Sequence, residues 1–202
     1  MMKYITRLGW LAVLILLISS LANLIFVSKD NQQFYSIDVT GANWGKKLSI
    51  KTGSNETLNL EQYKGKVVAL FFGFLSCPDF CPGHLAKMVD IKSMLGNYSN
   101  DLAVIFISVD PDRDTNDQLA KYLNSFDPDF SGAVVSSSDL QILKAEFNLV
   151  VNKVFESNSA MYTIDHYTYT YIFDKSGALR LLAPADLNGS ELLSDLNQLL
   201  SS

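Results

Sequence analysis

Residues 67–82 read VVALFFGFLSCPDFCP. Val67 to Phe74 is a continuous apolar run, the pattern of a strand buried on both faces. It leads directly into Cys77-Pro78-Asp79-Phe80-Cys81-Pro82. After Pro82, the residues Leu85, Met88, Ile91, Leu95 and Tyr98 recur at helical spacing, and proline suits the first turn of a helix. The stretch therefore predicts a strand, a cysteine pair and a helix in succession. In an open α/β sheet, chemistry gathers at the carboxyl ends of strands, so one stretch points to both the fold and the site.

The same alternation continues downstream. Leu102 to Val109 is a second buried strand. Thr115 and Gln118 form a capping-box pair opening a helix to about Phe126. Ala133 to Ser136 is a short strand, and Ser138 with Gln141 opens another helix to Phe147. Thr168 to Phe173 alternates with period two and returns through the turn Asp174–Gly177 into Ala178–Ala183, a hairpin. Leu192, Leu193, Leu196, Leu199 and Leu200 mark a closing helix capped by Asn188 or Ser190. The order predicts an α/β domain with a mostly parallel sheet and an antiparallel edge. A thioredoxin-like fold has this order, as do pieces of many folds.

The chain has 202 residues, 16 Lys+Arg against 21 Asp+Glu, and a net charge of −5. That balance argues against a nucleic-acid partner, which needs a basic patch. Two cysteines are too few for a disulfide-rich scaffold. Residues 8–27, LGWLAVLILLISSLANLIFV, carry no charge, and a helix of that length spans about 30 Å, the hydrocarbon thickness of a bilayer. Lys3 and Arg7 precede it and no acidic residue does. The expectation is a retained transmembrane anchor with residues 1–7 cytoplasmic and the rest exported. A signal peptide cleaved near Ser20-Leu21-Ala22 is the competing reading. Seven leading residues are too few for an Arg-rich mitochondrial presequence, so a bacterial inner membrane is expected, with the domain facing the periplasm or cell exterior. Residues 28–47 read as a tether and 48–202 as the domain.

A helix N-terminus lowers a thiol's pKa, and a four-residue offset puts both sulfurs on one face if the segment is helical. The pair can close a disulfide or grip an ion. His166, in Ile164-Asp165-His166 just before the Tyr-rich strand, is the candidate third ligand, with Asp165 as its orienting partner or a plain surface residue. Two thiolates and an imidazole are a soft set that suits copper, whereas zinc normally takes a fourth ligand. A thiol-disulfide oxidoreductase would use the same dithiol, with Cys77 attacking. Against it, the spacing is C-x-x-x-C, and no proline lies between Pro128 and Pro184 to face the dithiol. A peroxidase would need an upstream Pro/Thr where Phe74-Leu75-Ser76 stand. A redox or copper sensor would use the same residues, but no extra module supports one.

The combined motifs resemble the Sco/SenC family of membrane-anchored copper chaperones for cytochrome c oxidase assembly. The matching stretches are Asp38–Gly45, Gly65–Gly73, Cys77–Pro82, Val109-Asp110-Pro111-Asp112-Arg113-Asp114-Thr115, Tyr162–His166 and Tyr171–Asp174. The resemblance runs from about Asp38 to Leu200. It implies a thioredoxin-like fold, a mixed central sheet flanked by helices and preceded by one transmembrane helix. It implies copper, as Cu(I) or Cu(II), held by Cys77, Cys81 and His166. Oxidation of the two cysteines to a disulfide would abolish copper binding, which makes redox state a switch on metal loading. Delivery would be to the copper-centre subunit of the oxidase, with an upstream periplasmic copper donor as a second partner.

Asp110 and Asp114 lie in a family motif near the site, although Asp114 by itself reads as a helix cap. One departure is Gly83-His84 after Pro82, where the family commonly has small hydroxyl residues. His84 is read as solvent-facing near a helix start, with an extra or transient ligand as the alternative. Met88, Met94 and Met161 read as core residues rather than thioether ligands.

Overall fold

The computed structural model describes residues 33–45, 48–51, 57–155, 162–166 and 169–202, together with Ile15 and Ser19. The anchor expected over residues 8–27 lies outside the described residues apart from Ile15 and Ser19, both helical and exposed. Among the described residues, no helix is long and apolar enough to cross a membrane. The chain divides into two compact units, Met1–Gln33 and Phe34–Ser202.

The second unit contains, in chain order, β1 (Ile37–Asp38), β2 (Ser49–Lys51), β3 (Thr57–Asn59), β4 (Val67–Gly73), α1 (Phe80–Met94), β5 (Leu102–Ser108), α2 (Asn116–Asn124), β6 (Ser131–Val134), α3 (Ser137–Glu146), β7 (Val151–Phe155), β8 (Tyr162–His166), β9 (Tyr169–Phe173), β10 (Leu179–Pro184) and α4 (Gly189–Ser201). A six-stranded sheet has the order β1-β10-β9-β4-β5-β6. β4, β5 and β6 are parallel, and β9, β10 and β1 extend the sheet antiparallel. The mixed sheet flanked by helices matches the expected class, but with two parallel and three antiparallel pairings it is not the mostly parallel sheet that the alternation predicts, because β9 and β10 enter as a hairpin beside β4 and β1 adds to β10. β2 pairs with β3, and β7 with β8, as two separate ribbons.

β4 and β5 are buried at every position, and their side chains alternate between two cores. Val68, Leu70, Phe72, Ile105 and Ile107 face a layer built from Leu143 and Phe147 with Leu58 and Ile164. Val67, Ala69, Phe71, Val104 and Phe106 face α1, α2 and α4 through Leu85, Met88, Leu119, Leu123 and Leu196. Continuous apolar strands are what a sheet covered on both faces requires.

The caps correct two local expectations. α2 opens on the Thr115–Gln118 capping box, as expected. α3 is capped by Ser136, whose side chain accepts the Asp139 amide, so the strand before it is Ser131–Val134 and not Ala133–Ser136. α4 is capped by Asn188, reciprocated by Glu191.

Residues 34–45, inside the segment read as a tether, pack with the domain. Ile37 and Asp38 pair with Leu182 and Leu181. The buried carboxylate of Asp195 on α4 accepts the amides of Tyr35 and Ser36 at 2.9 and 2.8 Å. Phe34, Val39 and Trp44 also pack against the two cores, but they are scattered among polar residues without a period, so the sequence conceals the attachment.

Topology sets where the site lies. β4 and β5 run parallel with Gly73 opposite Ser108, so the loops after them leave at the same edge. β9 runs the other way, with Thr170 opposite Phe71, so its first residues begin at that edge too. His166 ends β8 three residues before Tyr169, which keeps its Cα within about 11 Å of that of Tyr169.

Candidate functional site

The two cysteines occupy unlike positions. Cys81 lies in the first turn of α1 and is fully buried, whereas Cys77, in the loop before it, is half-buried. Both are free thiols. Asp79 at the N-cap of α1 makes no side-chain capping bond. The Cys81 amide instead donates to Cys77 Sγ at 3.3 Å, so a cysteine takes the capping role. Burial pushes the Cys81 thiol well above its ordinary range, and a backbone hydrogen bond from Phe74 opposes the rise. A helix N-terminus favours thiolate, but for Cys81 desolvation wins and the pair reads as one open and one buried sulfur.

Gly73 makes room for the buried one. A Cβ there would stand 2.8 Å from Cys81 Sγ and 2.8 Å from Phe106 Cζ. Gly73→Ala is expected to cost about 1–3 kcal/mol by overpacking and to push Cys81 outward. Urea unfolding and the alkylation rate of Cys81 check this; unchanged values for both would contradict it.

The loop after β5 supplies the second layer. Asp110 is fully buried and Asp114 nearly so. Asp114 does not cap α2, since Thr115 does. Its Oδ2 turns inward and accepts the Leu75 amide at 2.9 Å and the Ser108 hydroxyl at 2.5 Å. Burial raises its pKa, against the lowering by those two hydrogen bonds. Leu75 lies two residues before Cys77, so Asp114 fastens the cysteine loop to the end of β5. The Val109 amide donates to the Gly73 carbonyl at 2.9 Å alongside it.

Asp110 reaches the other way. It accepts Arg113 Nε at 2.5 Å and the Tyr162 hydroxyl at 2.7 Å. Arg113 Nη1 donates to the Tyr162 carbonyl at 2.8 Å, and its guanidinium sits 3.8 Å from the centre of the Tyr162 ring. Tyr162 opens β8, the strand that His166 closes. His166 pairs with Val151 in the ribbon, and its side chain lies outside the described residues, as does all of Met161. Among the described residues, no three His, Cys, Asp or Glu side chains gather around a common metal position.

His84 is a correction. It is 5% exposed, not solvent-facing. Its Nε2 lies 3.1 Å from Thr170 Oγ1, its ring meets Phe71 edge-on at 4.6 Å, and Phe80 stacks on it at 6.1 Å. Nδ1 is buried without a hydrogen-bond partner among the described residues. Burial lowers the ring's pKa to about 4, with Lys87 adding to the effect. Met88 belongs to the core as expected, while Met94 is 56% exposed. Ser108 emerges from the structure as a site residue outside the quoted motifs, and Arg113, Tyr162 and Gly73, which lie within them, gain roles that motif reading did not assign. The signal available was the charge density of Asp110-Pro111-Asp112-Arg113-Asp114 directly after a buried strand.

The chain is 34% identical over 125 residues to the SCO2-like protein of Rickettsia conorii, and the alignment spans 61% of this chain and 61% of that curated relative's length. The structure of Bradyrhizobium japonicum ScoI with copper bound superposes with a TM-score of 0.68 at 28% identity, covering 78% of this chain and 99% of that one. BsSco, a member of the Sco family of cytochrome c oxidase assembly proteins in which a disulfide switch is identified, matches with a TM-score of 0.61 over 85% of this chain and 99% of its own. At 20% identity that likeness is one of fold. A family model described as SCO1/SenC matches residues 40–201. Two free cysteines in the loop and helix start that follow β4, the thioredoxin-like sheet that presents them and this match agree: the chain belongs to the SCO1/SenC family.

Proposed function

We propose that the protein is a copper metallochaperone that binds one copper ion through Cys77, Cys81 and His166 and hands it to the dinuclear copper centre of cytochrome c oxidase. Sco proteins take part in copper binding and cytochrome c oxidase assembly, and the residues here suit that work. The observation that carries the reading is the free dithiol that follows β4, at the end of the sheet where β9 begins three residues after His166. Two sulfurs and an imidazole form a soft donor set suited to Cu(I), and imidazole also suits Cu(II).

The half-exposed Cys77 is the sulfur that an incoming ion would meet first, and Cys81 would follow as the ion's charge displaces its proton, which is released to water. Oxidation of the pair would remove both sulfur ligands, so the dithiol's redox state would gate loading. Residues 8–27 would anchor the domain on the outer face of a bacterial inner membrane, beside the oxidase subunit and an upstream periplasmic copper donor. Copper per chain, measured on the dithiol and on chain oxidised with diamide, tests this. The reading expects one copper for the reduced chain and none for the oxidised chain. Equal loading of both would rule out the sulfur site.

A second reading draws on the same asymmetry. An open sulfur beside a buried one is the arrangement of an attacking and a resolving thiol. A thiol-disulfide oxidoreductase that keeps a partner's copper-site cysteines reduced would use Cys77 to attack and Cys81 to resolve. Exchange with a disulfide substrate, lost in Cys77→Ser, is its signature.

A further inference from the structure

The loop between β5 and α2 touches both halves of the site. On one side Asp114 holds the Leu75 amide, two residues before Cys77. On the other, Asp110 and Arg113 hold Tyr162 by its hydroxyl, its carbonyl and its ring face. Asp112 adds a second grip, pairing with Lys153 of β7, whose ammonium also lies 4.5 Å from the centre of the Tyr162 ring. The ribbon these contacts hold has a largely exposed strand in β7. Four of the five β7 residues are exposed, Val154 at 48% and Phe155 at 62%. Within the ribbon, Ile164 is buried in the core and Val151 and Tyr162 pack against it, Lys144 Nζ donates to the Val151 carbonyl at 3.2 Å, and the polar contacts from the β5–α2 loop hold the start of β8.

We propose that Asp110, Arg113 and Asp114 form a bracket that positions the β7–β8 ribbon, and with it His166, against the cysteine loop, so that these residues as well as the ligands set how firmly the ion is kept. The proposal rests on the copper reading above for its consequence, not for the bracket itself. Asp110 suits the task because a buried carboxylate must keep its partners: removing one leaves a charge unpaired in a dry site. Arg113 suits it because a planar guanidinium can bond sideways and stack at once, which an ammonium cannot do. The three are positioning residues and touch no ion.

Tyr162→Phe removes one hydroxyl and keeps the ring that Arg113 and Lys153 cover. In the metal-free full chain, held in mild detergent, amide exchange at residues 151–155 and 162–166 is expected to quicken about tenfold while that of β4 and β5 stays unchanged. Arg113→Lys, which keeps the charge and loses the fork, is expected to behave alike. Competition with a Cu(I) chelator is expected to show about tenfold weaker binding in Tyr162→Phe, within the range known for groups that orient a ligand. The same substitution in a His166→Ala background is expected to change nothing further. Unchanged ribbon exchange overturns the proposal. So does an equal loss of copper affinity in both backgrounds, which would mark general destabilisation. Should the native chain bind no copper, the metal reading fails and the exchange result alone decides on the bracket.

Discussion

Cys81→Ser is expected to abolish tight copper binding, a loss greater than the roughly 100-fold that changes around a ligand produce. Serine replaces a soft sulfur with a hard hydroxyl, and Cu(I) prefers the former. The position magnifies the effect. Cys81 is fully buried in the space that Gly73 leaves, in the core cluster that also holds Phe106. A hydroxyl there sits in an apolar pocket, so about 1–3 kcal/mol of stability should go with it. Cys77→Ser is expected to lose copper as severely but to spare the fold, because Cys77 is half-exposed. Chelator competition and urea unfolding on the two variants separate these effects. Tight binding that survives Cys81→Ser would contradict the two-sulfur site.

Stability should depend on His84 between pH 6.5 and 4. Burial lowers its folded-state pKa to about 4 from 6.5. Between those values the unfolded chain carries a proton on His84 that the folded chain does not. Stability therefore rises with pH across the window and is lost as pH falls through it. The full effect of one such group is about 3 kcal/mol. Asp114 works the other way, because its raised pKa makes the folded chain hold its proton more tightly as pH falls towards 3.8. The informative quantity is thus the difference between native chain and His84→Gln, which keeps a hydrogen-bonding side chain beside Thr170 and cannot titrate. Urea midpoints at pH 4 to 7 should show a shallower acid loss in the variant. Equal slopes would mean that His84 is not the buried neutral group described.

Both predictions rest on residues whose legibility in the sequence differed. Val67–Gly73 and Leu102–Ser108 could be read because strands buried on both faces leave unbroken apolar runs. The cysteine pair, the α2 capping box and Asn188 could be read because their residue types have specific local roles. β7 was not legible because four of its five residues are exposed and no burial period marks it, and the alternation of β8, its partner, spans only Tyr162 to Asp165, too short to stand out. β1 was hidden because backbone bonds to Asp195 and β10 attach its segment. His84 misled because a polar residue near a helix start is usually wet, whereas this one faces Phe71 and Thr170 across the sheet. Asp114 misled in the opposite sense. Its place before a helix suggested a cap, but the neighbouring Thr115 fills that role and frees Asp114 to hold the cysteine loop.

The ligand set is the account's central claim, and His166 is its most exposed part. The direct measurement is a Cu(I) titration of the reduced full chain against a competing chelator, run in parallel on His166→Ala. The account predicts one copper per native chain and an affinity lower by more than about 100-fold in the variant, more than an outer-sphere change costs. One copper bound equally well by both would contradict the three-ligand site and leave Cys77 and Cys81 as a dithiol that works without His166.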